Sequence, residues 1–312
     1  MSLMTLFSAP KPFTDPLISI IQSNAVLSWS KLHDVEILLM GEELGIDAAA
    51  ARVGARHITG VRRNSSGTPL VSSMIELARH YGTGELLCIV NADMIIMQDL
   101  LDAAIPIKNR WDAFVLAGRR WDVSIESLLD FKGGWEAQLR HYVLQKGEIH
   151  RPAGSDFFVF PHRCYAATPD FAVGRAGWDN WMIYEARRHG WPVVDCTPSV
   201  MMVHQSHDYS HLPGGAPHHS APESDENIRL AGGNAPIRYT IHDATHCLVD
   251  GKLGRPRPSY SRLLRMVELA LRAVFAFLPP KMIEEVARPR RWKRRLQRAF
   301  KVPVSKPDEP NA

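Results

Sequence analysis

The chain has 312 residues, 45% of them hydrophobic and 22% charged, which are ordinary globular values that exclude wholesale disorder and collagen-like structure. Its net charge of +4 conceals an asymmetry: residues 251–301 hold fifteen Lys and Arg against three Asp and Glu, so the first 250 residues form an acidic body and the rest a basic arm. The four cysteines, Cys88, Cys164, Cys196 and Cys247, lie far apart with no C-x-x-C pair, which argues against a disulfide scaffold or a thiolate zinc site and suits a reducing compartment.

The first residues lack a basic n-region and reach Pro10 after a brief apolar run, so no signal peptide is expected. No run of 18 uncharged apolar residues occurs, so no membrane-spanning helix is expected, and the expected location is the cytoplasm or the cytoplasmic face of a membrane. Residues 4–8 read as a strand, 16–30 as a helix and 35–40 as a buried strand. An alanine-rich helix near 46–53, a strand at 57–61 and a helix at 70–81 follow, the last with Leu70, Met74, Leu77 and Ala78 on one face. Residues 86–90 are continuously apolar, as a strand covered on both sides should be; a helix at 98–105 and a strand at 113–117 come next. Alternating βα units predict a parallel, doubly wound sheet. Past residue 120 the pattern loosens to a strand at 157–160, a helix at 178–189, a strand at 199–203 and an irregular stretch at 204–250.

Ligands of such a sheet bind at the carboxyl ends of its strands. The loops there are neither G-x-G-x-x-G nor G-x-x-x-x-G-K-[ST], which excludes a dinucleotide fingerprint and a P-loop. They offer instead Asn91-Ala92-Asp93, beside the basic loop Arg62-Arg63-Asn64-Ser65-Ser66-Gly67. A carboxylate and an amide near basic groups suit a diphosphate bridged by Mg²⁺ or Mn²⁺. The bland reading of Asn91 and Asp93 is a helix cap. Gly177-Trp178-Asp179-Asn180-Trp181 opens a helix and either aims Asp179 into a cleft or merely complements the helix dipole. Asp156, before the strand at 157–160, is either a turn residue or a ligand to a sugar hydroxyl. His204 follows a strand, and His207, His211, His218 and His219 follow it. The H-x-x-H-x-x-x-H spacing fits no standard helical zinc signature, and Pro213, Gly214 and Gly215 argue for loop. His204 is therefore read as a single metal ligand, and His207 onward as polar loop.

Taken together, residues 5–13, Asn64-Ser65-Ser66-Gly67-Thr68-Pro69, Asn91-Ala92-Asp93, Gly177-Trp178-Asp179-Asn180-Trp181 and His204, in that order, resemble the nucleotide-diphospho-sugar transferase superfamily, the glycosyltransferases of GT-A fold. The resemblance covers roughly residues 3–210. It implies an α/β, Rossmann-like, doubly wound mixed sheet over residues 1–250, with a basic, partly helical extension over 251–312. It also implies transfer of a sugar from a nucleotide-diphosphate donor to a hydroxyl acceptor on a glycan or lipid-linked saccharide. By the same resemblance Asp93 and His204 hold a divalent metal (Mn²⁺ or Mg²⁺), and Ser8, Pro10, Glu42, Asn64, Gly67, Asn91 and Asp93 bind the donor. Asp179 serves as the catalytic base, while Asp156 and Trp178 meet substrate. Two departures stand out: Asn91 occupies the first position of the family's acid-x-acid motif, and Trp178-Asp179 replaces its usual Glu-Asp pair.

Two other readings compete. A sugar-nucleotide nucleotidyltransferase normally carries a glycine-rich loop after the first strand, and Ser8-Ala9-Pro10-Lys11-Pro12 has no glycine. A non-catalytic carbohydrate-binding protein would hydrolyse no donor. In the arm, an apolar helix over 263–278 ends at Pro279-Pro280, and the densely basic segment 288–301 follows, with Trp292, Leu296, Ala299 and Phe300 as a stripe. Residues 255–301 are expected to lie on an anionic membrane surface. Nucleic acid is the disfavoured partner, since the body is acidic and carries no nucleic-acid motif.

Overall fold

The computed structural model describes residues 2–207 and 222–274. A compact unit extends to Pro256 and a second begins at Arg257. The first unit runs past the expected boundary at 250 because a terminal hairpin, described below, joins its main sheet.

The elements of the first half fall close to the predicted ones: β1 (Met4–Ser8), α1 (Pro16–Trp29), β2 (Val35–Met40), α2 (Ile46–Val53), β3 (Arg56–Ile58), α3 (Val71–Tyr81) and β4 (Leu86–Val90). Asp15 caps α1 by accepting the Ile18 N–H at 2.9 Å, and Pro16 supplies a pre-set φ in the first turn. Then come β5 (Met94–Ile95), α4 (Asp99–Lys108), β6 (Val115–Ala117), β7 (Arg120–Val123), α5 (Trp135–Lys146), β8 (Glu148–Ile149), β9 (Phe157–Pro161) and α6 (Trp178–Arg188). The remaining elements of this unit are β10 (Val193–Asp195), β11 (Met202–Gln205), α7 (Pro222–Leu230), β12 (His246–Val249) and β13 (Lys252–Gly254).

The main sheet runs β13-β12-β10-β6-β9-β4-β1-β2-β3. It is mixed: β9 lies antiparallel between β4 and β6, and β13 closes an antiparallel hairpin, while the other neighbours are parallel. The mixed sheet implied by the resemblance is present, the parallel order of the βα repeats being interrupted by these two strands. The continuous apolar strands are sorted by alternation onto two cores. Leu6, Leu39, Cys88 and Val159 face one core with α1, α2 and α4, while Phe7, Leu38, Ile89 and Phe158 face the other with α3 and α6. All three phenylalanines of β9, Phe157, Phe158 and Phe160, are fully buried, each worth roughly 1.5–3 kcal/mol relative to exposure.

A second, smaller sheet, β5-β11-β7-β8, stands beside the first over a core that includes Leu139 and Val143 of α5. The sequence did not announce it. β7 reads Arg-Trp-Asp-Val, and three of its four residues are only partly buried, so it lacks the apolar signature of a core strand. The strand expected at 199–203 is displaced to Met202–Gln205, which puts His204 inside a strand instead of after it. The stretch 204–250, expected to be irregular, contains α7 and β12.

In the second unit, α8 (Tyr260–Val274) begins three residues before the predicted apolar helix; the rest of that helix and the basic segment at 288–301 lie outside the described residues, as do His211, His218 and His219. No described helix is long and apolar enough to cross a membrane.

Candidate functional site

Asp93 stands just beyond the carboxyl end of β4, and the small sheet brings its partners to it. In β11, His204 pairs with Met94 on one side and with Asp122 of β7 on the other, so the two strand registers place one imidazole between two carboxylates. His204 Nε2 lies 3.6 Å from Asp93 Oδ2, and Nδ1 lies 2.9 Å from Asp122 Oδ1. The chain leaving β11 then brings His207 Nε2 to 3.4 Å from Asp93 Oδ2. Ligand atoms of Asp93, His204 and His207 lie within 4.8 Å of one another. His207, read from sequence as a polar loop residue, thus joins the cluster. Its only signal was the i, i+3 spacing from His204.

This donor set fits a divalent cation. Two borderline imidazoles with one hard carboxylate suit Mn²⁺, Zn²⁺ or Fe²⁺ better than Mg²⁺, which prefers oxygen ligands. Asp93 Oδ1 is buried with no hydrogen-bond partner among the described residues, an orphaned acceptor of the kind a cation would satisfy. Burial acts to raise the Asp93 carboxyl, but His204 and His207 outweigh it and hold the group well below the usual carboxylate range. Burial acts to lower the His204 imidazole, yet Asp93 and Asp122 raise it to about 9. The two shifts describe one ion pair, whose proton a cation would have to displace.

A polar network continues from this cluster. Asp122 Oδ2 lies 2.6 Å from His150 Nδ1, and Arg120 Nε donates to Asp122 Oδ1 at 2.8 Å. Arg120 Nη1 donates to Asp156 Oδ2 at 2.5 Å, and Asn91 Nδ2 donates to Asp156 Oδ1 at 2.7 Å. Asp156, the expected sugar ligand, therefore has both carboxylate oxygens engaged within the protein, and the amide of Asn91 is turned to Asp156. Behind the cluster, Gln205 Nε2 donates to Ile21 O at 2.8 Å and Asp93 O at 3.2 Å, while its Oε1 accepts from Asn24 at 3.0 Å. Both side chains are fully buried and mutually satisfied, fastening β11 to α1 and to the Asp93 backbone.

Asp179 lies in the first turn of α6, which Gly177 opens at φ +109. Burial and the nearby Asp156 charge raise its carboxyl to about 6, against the backbone N–H groups of Asn180, Ser155 and Asp179 itself, which act to lower it. A helix-capping acid would ordinarily be pushed down by that setting, and Asp179 is pushed up.

The remaining expected donor residues sit at strand ends. Ser8 ends β1 and is buried, as is Pro10. Gln22 clamps the following residue, accepting the Lys11 N–H at 2.6 Å and donating to its carbonyl at 2.9 Å. Burial lowers the Lys11 ammonium, with Asp93 and Arg175 both within electrostatic reach; Lys11 belongs with this site although only its loop was singled out from sequence. Asn64 Oδ1 accepts the N–H groups of Ser66 and Thr68, and its Nδ2 donates to Glu223 at 2.7 Å, so it shapes its own loop. Glu223 in turn accepts from Arg175 Nε at 2.6 Å. Glu42 accepts from Arg63 at 3.1 Å and from the Gly60 N–H at 2.5 Å, and Gly67 holds the turn at φ +81. Trp178 corrects an expectation: its ring packs edge-on against Phe158 and only 3% of the residue is exposed, so it serves the core and offers substrate no face. All four cysteines are free and buried.

The described residues thus form a mixed α/β sheet with a metal-competent cluster beside the carboxyl end of β4. No family model matches the chain, and no curated protein matches it. Among solved structures it is similar to glucosyl-3-phosphoglycerate synthase from Mycobacterium tuberculosis in complex with Mn²⁺, uridine diphosphate and phosphoglyceric acid, at 12% identity over 75% of this chain and 80% of that one, TM-score 0.45. It is also similar to the mannosyltransferase PcManGT from Pyrobaculum calidifontis in complex with GDP-Man and Mn²⁺, at 14% identity over 65% of this chain and 56% of that one, TM-score 0.41. A third similar structure is S. aureus TarS, at 13% identity over 74% of this chain and 39% of that one, TM-score 0.46.

Proposed function

We propose that this chain is a metal-dependent glycosyltransferase that moves a sugar from a nucleotide-diphosphate donor to a hydroxyl of a glycan or lipid-linked saccharide. The observation that carries the reading is the cluster of Asp93, His204 and His207, with the buried Asp93 Oδ1 left unpartnered among the described residues, at the strand edge where a donor diphosphate would lie. Asp93, His204 and His207 would hold the cation, which would supply Lewis-acid stabilisation of the departing diphosphate. Lys11 and Arg175 add positive charge on the same side. Asp179 accepts the proton of the acceptor hydroxyl as its oxygen bonds to the anomeric carbon, and the anomeric bond to phosphate breaks with its electron pair leaving on the diphosphate. A carboxyl raised to about 6 is a better base than an ordinary aspartate and is still ionised at neutral pH.

The basic arm is read as a surface attachment that brings the enzyme to its acceptor. Along α8, Tyr260, Leu263, Met266 and Val267 are exposed apolar side chains, while Arg265 falls by helical spacing on the opposite face. With the basic residues that follow in sequence, this face suits the anionic surface of a membrane carrying a lipid-linked acceptor.

A panel of nucleotide sugars with Mn²⁺ tests the activity through release of nucleoside diphosphate. Release that depends on Mn²⁺ and is lost in Asp93→Ala is expected. Absence of both release and donor-induced thermal stabilisation across the panel would leave a carbohydrate-binding protein as the reading.

A further inference from the structure

Asp122 belongs to no motif and lies 29 residues beyond Asp93, yet it is the most connected carboxylate near the cluster. Its Oδ1 lies 2.9 Å from His204 Nδ1 and accepts from Arg120 Nε at 2.8 Å; its Oδ2 lies 2.6 Å from His150 Nδ1. The β7–β11 register holds Asp122 directly beside His204, so the contact is built into two paired strands and does not depend on a loop.

An imidazole presents only one nitrogen to a metal, and the hydrogen bond made by the other nitrogen selects which. We propose that Asp122 is the positioning residue of the metal site: its carboxylate, 2.9 Å from His204 Nδ1 in a charge contact that is not aligned as a hydrogen bond, keeps the proton on Nδ1 and leaves Nε2 turned toward Asp93 and His207. The ring can then offer Nε2 as a lone-pair donor in the orientation observed, 3.6 Å from Asp93 Oδ2. A carboxylate behind a metal-bound histidine raises its basicity, and loss of such a partner typically costs about 10–100-fold in metal affinity. Arg120 and His150 fix Asp122 in turn, so the carboxylate is held from both oxygens before any cation arrives. This assignment rests on the metal reading of the cluster and concerns affinity rather than turnover.

The experiment measures Mn²⁺ affinity of the full chain without donor, from the electron paramagnetic resonance signal of free Mn²⁺, in a double-mutant cycle. Asp122→Ala is expected to weaken binding about 10–100-fold. In a His204→Ala background the same substitution is expected to change affinity by less than about 2-fold, because its effect acts through that ring. An equal loss in both backgrounds, or none in either, overturns the assignment. Asp122→Leu, which fills the same space and offers no acceptor, gives a second decision if the alanine variant fails to fold: wild-type affinity in Asp122→Leu also overturns it. Failure of the underlying reading looks different, since then His204→Ala alone would bind Mn²⁺ as the wild type does, or the wild type would not bind it at all.

Discussion

Asp179 shows how one side chain can be costly to the fold and useful to chemistry. Its carboxyl is raised from 3.8 to about 6, so between those values the folded state holds a proton that the unfolded chain has released. Stability therefore falls as pH rises through that window and stays at the lower level above it, by at most about 3 kcal/mol. Asp179→Asn removes the penalty, and its thermal midpoint at pH 7 is expected to rise while that at pH 3.5 changes little. The same substitution is expected to lower transfer about 10²–10⁴-fold with donor affinity retained, since it preserves size and removes basicity. The wild-type rate should climb with pH through about 6, as the base ionises. A variant that loses donor affinity together with rate would make Asp179 a binding residue. At the metal cluster, Asp93→Ala is expected to abolish Mn²⁺-dependent activity and to lower stability through loss of its pairing with His204 and His207, while the fold survives because the side chain sits on a strand-end turn outside the hydrophobic cores. His207→Ala should weaken Mn²⁺ binding in the same direction as His204→Ala, measured by titration without donor.

At the scale of elements, two features hold these side chains in place. α6 starts at Gly177 with φ +109, where an added Cβ would meet Ile237 Cγ2 at 3.3 Å. An L side chain is strained there by roughly 1–2 kcal/mol. Gly177→Ala is therefore expected to lower the thermal midpoint and, by shifting the first turn, to reduce transfer more than it reduces Mn²⁺ binding. β11 is held by Gln205, which bonds to Ile21, Asp93 and Asn24. Gln205→Ala strands these buried partners, at about 1–3 kcal/mol for each unsatisfied group. Denaturant unfolding should show that loss, and Mn²⁺ affinity should fall with it, because Gln205 adjoins His204 and ties down the Asp93 backbone. Trp29 acts similarly from α1, donating from Nε1 to the Met94 carbonyl at 2.9 Å, one residue beyond Asp93.

For the whole molecule, charge and apolar surface are divided between an acidic body and a basic arm. Each Lys or Arg near an anionic bilayer is worth about 1 kcal/mol, so under the membrane proposal the arm's charge together with the exposed face of α8 would suffice for peripheral attachment. The full chain should co-sediment with vesicles containing phosphatidylserine and release as salt rises. Replacing Leu263, Met266 and Val267 together by glutamate should abolish that binding while leaving donor hydrolysis in solution unchanged. Equal binding by both proteins, or none at low salt, would make the face one for another partner; association of the wild type into dimers that the triple variant cannot form would identify that partner as a second copy.

Much of this organisation was legible in the chain by itself. Continuous apolar runs such as Leu86–Val90 can bury both faces only in a covered sheet, so the strands of the first half and the helices between them followed from periodicity. Asn91-Ala92-Asp93 and Trp178-Asp179 were visible because a polar residue at the end of an apolar element has few reasons to be there. Tertiary structure alone decided the rest. Whether β9 runs parallel or antiparallel is not encoded in Phe-Phe-Val-Phe-Pro, since burial on both faces is the same either way. Asp122 and Arg120 carried no local signal, because an ionic strand lining a site lacks the apolar alternation by which strands are recognised, and His207 offered only its i, i+3 spacing from His204. Trp178 could be read as a sugar platform or as core until its burial was known. The metal cluster itself is a product of pairing: only the register of β11 between β5 and β7 brings together Asp93, Asp122 and His204 across more than a hundred residues of chain, and strand register is set by long-range packing that no local segment specifies.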